Sequence, residues 1–173
     1  MLWQDAYKPN LAGPLGSMVP QRTTTTRTTA AAQTAAAAAA LPAVAGAYVL
    51  LIRLDKPFVL RLAGRPAVSL SAGRYLYCGS ARGPGGLRAR VARHLRQRKT
   101  LRWHVDRLTT RGRVIAVWAV PDGDECALAA QLGGLPVPVP GFGSSDCAGC
   151  PSHLFAWPEG TVLPFGAPTV SRD

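Results

Sequence analysis

The chain has no long apolar run that could cross a membrane. The nearest candidate, residues 30–45, is mainly alanine, and Gln33, Thr34 and Pro42 interrupt it. Alanine is only weakly hydrophobic, and a membrane-spanning helix needs about 20 predominantly apolar residues. The start of the chain also lacks a charged segment followed by a compact apolar one, which is the pattern of a secretory signal. The sequence therefore predicts no membrane partner and no secretion.

Cysteine is also scarce. The 173 residues contain four cysteines, at positions 78, 126, 147 and 150. Small secreted domains that depend on disulfides carry a much denser set of cysteines. We therefore predict reduced thiols and a cytoplasmic location.

Acidic residues are few, and the basic residues that outnumber them are clustered. The chain has 9 Asp and Glu residues against 20 Lys and Arg residues, which gives a net charge of +11. Between Arg82 and Arg113, eleven basic residues accompany one acid, Asp106, so this segment alone carries +10. Clustered cations are typical of proteins that bind the phosphates of nucleic acids. A solvated, arginine-rich helical face would give the same pattern without a partner.

Composition divides the chain into a tail, a domain and a second tail. Residues 1–43 pass from a Pro/Gly segment through a Thr/Arg segment into alanines, without a strand or amphipathic period. Such a segment cannot bury an apolar face, so we predict a disordered tail in which the alanines are at most transiently helical. Residues 44–158 are predicted to form one domain, and residues 159–173 a C-terminal tail.

Strand and helix patterns alternate within the predicted domain. Short apolar runs predict strands at 47–54, 74–78 and 114–120. Two shorter runs on either side of Gly64-Arg65-Pro66 predict a hairpin within 58–70. Helices are expected at 87–98, 101–108 and 125–132, the last capped by Asp124. The order predicts an α+β domain: a small antiparallel or mixed sheet with an extra hairpin and about three flanking helices.

The first predicted helix carries the candidate polar chemistry. Its apolar stripe repeats every four residues, and Arg90 and His94 lie four positions apart beside that stripe. Asp106 is expected to tether Arg102 or Arg107, and a role as a metal ligand is the alternative. Other cations of this region can reach solvent or phosphates, and we predict them as the nucleic-acid contacts: Arg82, Arg88, Arg93, Arg96, Arg98 and Lys99.

A second candidate site is the segment with Cys147-x-x-Cys150 and His153. These are three soft ligands within seven positions, whereas a closed structural zinc site needs four. His104 or Cys126 could supply the fourth. The spacing leaves zinc binding, ordinary packing and an active-site edge open.

Five stretches, taken in this order, carry a resemblance to a known family: GAYVLLIRL, GRYLYCGSARGPGGLRARVARHLR, LRWHVDRL, DECALA and FGSSDCAGCPSHLF. With them the chain resembles the GIY-YIG nuclease superfamily, and within it a small prokaryotic branch described as a domain of unknown function. The resemblance covers residues 46–157. Gly46-Ala47-Tyr48 and Tyr77-Cys78-Gly79 stand at the positions of its two signature halves.

This resemblance implies metal-assisted hydrolysis of phosphodiesters. By position it implies catalytic roles for Tyr48, Tyr77 and Arg90, with His94 at a polar position that often follows the arginine. It implies that Glu125 holds the metal, and hard oxygen ligands suit Mg²⁺ or Mn²⁺. The residues alone leave the general base open between a tyrosine and His94, which titrates closer to neutrality.

The chain departs from the superfamily pattern in three respects. The two tyrosines lie 29 positions apart, because the extra hairpin separates the signature halves. Ala47 and Cys78 replace isoleucines, and on strands they should point away from the tyrosines. No late asparagine is present, since the only asparagine is Asn10.

Together these observations predict a metal-dependent DNA endonuclease, structure- or damage-selective in repair. The alternative is a catalytically inactive nucleic-acid-binding module of the same fold, which keeps the basic helix but does not turn over.

Overall fold

A five-stranded antiparallel sheet organises residues 30–172, the part of the chain that the computed structural model describes. The helices of this part are α1 (Ala30–Ala39), α2 (Gly86–Leu95), α3 (Asp106–Thr109) and α4 (Glu125–Gln131). Its strands are β1 (Gly46–Leu54), β2 (Phe58–Leu60), β3 (Val68–Leu70), β4 (Gly73–Ser80), β5 (Arg113–Pro121), β6 (Leu154–Ala156) and β7 (Val170–Ser171). The sheet order is β6-β4-β1-β5-β7, and β2 and β3 form a separate hairpin. The predicted α+β class and the extra hairpin are confirmed.

Strand β1 forms the centre of the sheet, and its continuous apolar sequence reflects burial on both faces. It pairs with β4 on one side and β5 on the other, antiparallel in both cases. Tyr48 lies opposite Gly79, and Leu50 lies opposite Tyr77. Because opposite residues of an antiparallel pair share a face, both tyrosines project from the same face of the sheet.

The two faces of the sheet bury different sets of side chains. Leu87 and Val91 of α2 pack with Tyr48 and Tyr77 on one face. Leu128 of α4 packs on the other face, in the cluster that contains Ala47 and Cys78. The middle residues of the two signature halves therefore point away from the tyrosines, as expected.

The boundaries of the domain differ from those predicted. Within residues 1–43, positions 30–39 form helix α1, while positions 1–29 lie outside the described residues. Ala38 and Leu41 are buried against the α2 side of the core, which holds the alanine segment in place. In the predicted C-terminal tail, Val170 is buried and β7 extends the sheet beside β5. Tertiary packing thus orders segments whose own patterns are weak.

The helix predicted at 101–108 is also much shorter than expected. It begins only at Asp106 and ends at Thr109. The Asp106 carboxylate accepts hydrogen bonds from the backbone N–H groups of Arg102 and Trp103, at 2.7 and 3.0 Å. Because the Asp106 side chain binds these two N–H groups, the residues just before Asp106 form a turn and do not extend the helix.

No helix among residues 30–172 is long and apolar enough to cross a membrane.

Candidate functional site

A polar cavity of about 350 Å³ opens at one edge of the sheet. At this edge β1 begins and β4 and β5 end, since Ala47 pairs with Ser80 and Gly46 pairs with Pro121. All five residues predicted for catalysis and metal binding line the cavity: Tyr48, Tyr77, Arg90, His94 and Glu125. Four elements, β1, β4, α2 and α4, therefore bring these residues to one concave surface.

Gly79 explains why the second signature half ends in glycine. A Cβ atom at this position would lie 2.6 Å from the Tyr48 hydroxyl and 2.9 Å from Cε1 of Tyr77. Both rings pack directly over the backbone of Gly79, and a methyl group there would displace them. The glycine is thus required by the close approach of the two tyrosines.

Both tyrosine hydroxyls are held in their protonated form. Burial raises the pKa of Tyr48 well above its usual value, and the neighbouring Tyr77 raises it further. Burial likewise raises the pKa of Tyr77. Arg90 opposes both shifts without overcoming them. Neither tyrosine is ionised before the reaction. A tyrosine that is to act as a base therefore needs a partner that accepts its proton.

His94 is that partner for Tyr48. A buried hydrogen bond of 2.8 Å joins the Tyr48 hydroxyl to Nε2 of His94. Burial lowers the pKa of His94, so the ring is neutral near pH 7. Its Nδ1 is buried and makes no hydrogen bond, but the Asp106 carboxylate, 3.7 Å away, favours the tautomer with the proton on Nδ1. The Tyr48 hydroxyl then donates its hydrogen bond to Nε2, and the oxygen lone pairs of Tyr48 remain free for a further donor.

Asp106 joins the site to its supporting residues, and its partners differ from those predicted. It forms an ion pair with Arg93 at 2.7 Å, and its side chain is 0% exposed. Lys99 lies 3.8 Å away. Arg102 contributes only its backbone N–H, and Arg107 was the wrong alternative. Burial opposes ionisation of Asp106, but the His94 ring, Arg93 and the backbone N–H groups of Trp103 and Arg102 lower the pKa of Asp106 far below its usual value.

Trp103 positions the predicted phosphate-binding arginine. The guanidinium carbon of Arg90 lies 4.0 Å from the centroid of the Trp103 ring, and that of Arg93 lies 4.3 Å from it. Stacking on an aromatic face restricts a long side chain and leaves its edge donors available. His94 also meets the Trp103 ring edge-on. Sequence reasoning did not assign Trp103 to the site, although it lies one position before the conspicuous His104.

Glu125 enters the cavity from the first turn of α4. The predicted cap is confirmed, because the Asp124 side chain accepts hydrogen bonds from the backbone N–H groups of Cys126 and Ala127. Oε2 of Glu125 is buried and has no hydrogen-bond partner. A buried carboxylate oxygen without a donor is rare in folded proteins. It suits a hard divalent cation, so the residues present fit Mg²⁺ or Mn²⁺ at this position.

A second cluster lies beside the cavity. Cys126, Cys147, Cys150 and His153 place one ligand atom each within 4.8 Å of one another, so the four side chains can hold a metal ion. Cys126, not His104, is the fourth member. His104 instead packs against Phe142 and lines the cavity. The inclusion of His104 in the second site is therefore wrong, because the start of α4 brings Cys126 to the loop.

Comparison with known proteins places the chain in a family. The model of a family described as "Domain of unknown function DUF123" matches residues 47–164. The chain belongs to the DUF123 family. Neither the curated proteins nor the solved structures contain a match to it.

The basic residues of this DUF123 domain separate into two groups. Arg82, Arg88, Arg96 and Arg98 are exposed, as expected of contacts to a partner. Arg93 and Lys99 are instead structural. Arg93 is bound to Asp106. The Lys99 side chain is only 4% exposed and donates to the carbonyl of His94 at 3.0 Å and to Thr109 at 2.7 Å. Burial lowers the pKa of Lys99 to about 8.

Proposed function

We propose that this DUF123 domain is a metal-dependent endonuclease that hydrolyses phosphodiester bonds in DNA, with structure or damage selectivity in repair. One observation carries the proposal. Two tyrosines, an arginine, a histidine and a glutamate line one polar cavity, and the glutamate presents a buried oxygen without a partner. These five residues are the ones implied by the resemblance to the GIY-YIG superfamily, whose relation to this chain remains part of the proposal.

The proposed reaction begins with a proton relay. A water molecule in the cavity gives a proton to the Tyr48 oxygen while the Tyr48 proton moves to Nε2 of His94. The resulting hydroxide attacks phosphorus, the bond from phosphorus to the leaving sugar oxygen breaks, and that oxygen takes up a proton from water. The imidazolium that forms is stabilised by Asp106, 3.7 Å from its Nδ1. This path needs no free tyrosinate, which the burial of Tyr48 disfavours.

The charge on the phosphate is neutralised by Arg90 and by the divalent ion that Glu125 would hold. The planar donor fork of Arg90, oriented by Trp103, suits two phosphate oxygens. Glu125 would hold the Mg²⁺ or Mn²⁺, which when bound supplies Lewis acidity at the phosphoryl group. We propose a separate Zn²⁺ at the Cys/His cluster, because thiolate and imidazole ligands suit that softer ion.

The exposed arginines support nucleic acid as the substrate. Arg82 lies at the Glu125 end of the site, 3.6 Å from Asp124, while Arg96 and Arg98 follow α2. Phosphate contacts of this kind make affinity fall steeply with salt. A cytoplasmic location remains a prediction that accompanies this function.

The test is Mg²⁺- or Mn²⁺-dependent cleavage of branched, nicked and single-stranded DNA. Arg90→Ala should abolish cleavage, because it removes the phosphate clamp. Arg61→Ala is the matched control, since Arg61 is exposed and lies outside both the cavity lining and the predicted nucleic-acid contacts. Binding without cleavage by the wild type would favour the inactive module. Cleavage that survives Arg90→Ala would refute the proposed site.

A further inference from the structure

The spacing of the Cys/His cluster matches a four-coordinate metal centre. Sγ of Cys126 lies 3.2 Å from Sγ of Cys147 and 3.8 Å from Nε2 of His153. Zn–S bonds are about 2.3 Å long, so two sulfurs of a tetrahedral site lie roughly 3.8 Å apart. All four ligand atoms already lie within 4.8 Å of one another. Only small side-chain adjustments separate this arrangement from a closed site.

The ligand set and its surroundings favour Zn²⁺ over a hard cation. Three of the four ligands are cysteine thiols, and all three are free. Thiolates prefer soft or borderline metals, and a Cys₃His set is typical of structural zinc.

The cluster joins the start of α4 to an irregular loop that lies well after it in the sequence. Cys126 lies in the first turn of α4, Cys147 and Cys150 lie in an irregular loop, and His153 immediately precedes β6. Residues 132–153 contain no helix or strand. A metal bridge across such a segment restricts the chain entropy that the loop would otherwise retain.

The same bridge borders the proposed active site. Glu125 immediately precedes Cys126, and His153 itself lines the cavity. Ser145 and Asp146, which also line the cavity, directly precede Cys147. A metal held by the cluster would therefore fix both the start of α4 and the loop that forms one wall of the cavity.

We propose that Cys126, Cys147, Cys150 and His153 bind one structural Zn²⁺, and that this ion holds Glu125 and the 144–153 wall in their places. Four protein ligands complete a tetrahedron, so the ion has no open position for water or substrate and serves as a clamp. The claim that the four side chains bind Zn²⁺ depends only on the geometry of the cluster. The claim that this ion supports cleavage by positioning Glu125 rests on the proposed function.

The first test measures metal content in the full-length protein. Purified wild type should contain about one equivalent of zinc by elemental analysis. Cys126→Ser should lose it. Cys78→Ala should keep it, because Cys78 is the one described cysteine outside the cluster. Zinc in wild type and Cys126→Ser alike would overturn this ligand set, and so would wild type without zinc that also fails to bind it when reduced.

A second test uses unaltered protein and covers the case in which Cys126→Ser does not fold. Wild type stripped with a strong chelator under reducing conditions is titrated with Co²⁺. Binding should produce sulfur-to-cobalt charge-transfer bands and the intense visible bands of tetrahedral cobalt, and should raise the thermal midpoint. The absence of these bands would refute the site. A Cys126–Cys147 disulfide in protein that has not been treated with chelator would also refute the site, because these two sulfurs would then not be bound to zinc.

Cleavage then separates this inference from the proposed function. Stripped protein should lose cleavage even in excess Mg²⁺, and one equivalent of Zn²⁺ should restore it. Full cleavage by stripped protein would refute the clamp while leaving the nuclease intact. Zinc binding in a protein that never cleaves would refute the nuclease while leaving the metal site intact.

Discussion

Replacing Asp106 with asparagine tests whether this buried carboxylate holds the site together. The substitution keeps the shape of the side chain and exchanges one oxygen for an NH₂ group. If the amide oxygen keeps the backbone N–H groups of Arg102 and Trp103, the new NH₂ faces Nη1 of Arg93, which now lies 2.7 Å from Oδ1. Two donors then oppose each other, and the charge balancing Arg93 and Lys99 is gone.

The expected loss of stability is about 3 kcal/mol. Removing one partner of a buried ion pair costs about 3–5 kcal/mol. Arg93 retains 15% exposure and can recruit water, and Lys99 keeps its bonds to the His94 carbonyl and Thr109, which favours the lower end. Asp55 provides the contrast, since its ion pair with Arg53 lies at the surface and should contribute about 1 kcal/mol or less.

Urea unfolding at pH 7, followed by tryptophan fluorescence, measures both variants against wild type. Asp106→Asn should lower the unfolding midpoint clearly, and Asp55→Asn should barely move it. Equal midpoints for the two variants would show that Asp106 does not organise the site, and the reasoning about Arg93 and Lys99 would then be wrong.

Three further outcomes are expected. Gly79→Ala should abolish cleavage and lower the thermal midpoint, because its methyl group would displace Tyr48; unchanged activity would contradict that contact. Arg96→Ala should weaken DNA binding and reduce the salt dependence of that binding, whereas Lys99→Met should lower stability instead. Equal losses of DNA affinity in the two variants would contradict the division into exposed contacts and structural cations. Burial lowers the pKa of His94, so the unfolded state binds its proton first. Unfolding free energy should therefore fall as pH drops below about 6.5, and less so in His94→Gln.

The sequence predicts the central strands and the cavity residues well, because their patterns are local and strong. The β1 run is apolar throughout, and β1, β5, α2 and α4 lie within a few residues of the predicted bounds. The tyrosines, Arg90, His94 and Glu125 reach the cavity from elements of the predicted type, so the sheet register brings them together.

The residues that support the site could not be predicted in the same way. Arg93 and Lys99 look like exposed cations in a basic segment, and only the fold shows that they surround Asp106. Helix α1 has no apolar stripe of its own and is ordered by packing on α2. Strands β6 and β7 have three and two residues, too few for a period to appear.

Cys126 illustrates a weaker signal that was present. It lies 21 positions before Cys147, so spacing alone does not link it to the Cys147-x-x-Cys150 segment. Its position next to the proposed metal ligand Glu125, in the first turn of a predicted helix, was the available indication. Long-range packing then decided between Cys126 and His104.

The central claim is that Glu125 holds a divalent metal for phosphodiester hydrolysis. The most direct measurement is the single-turnover cleavage rate of a branched DNA in Mn²⁺, for wild type, Glu125→Gln and Glu159→Gln. Glu159 is the only other glutamate, and it is exposed and outside the cavity lining. Glu125→Gln should cleave at least about 100-fold more slowly, as expected for loss of an electrostatic stabiliser of the transition state, and Glu159→Gln should match wild type. Equal rates for all three proteins, or no metal-dependent cleavage by wild type on any branched substrate, would contradict the account.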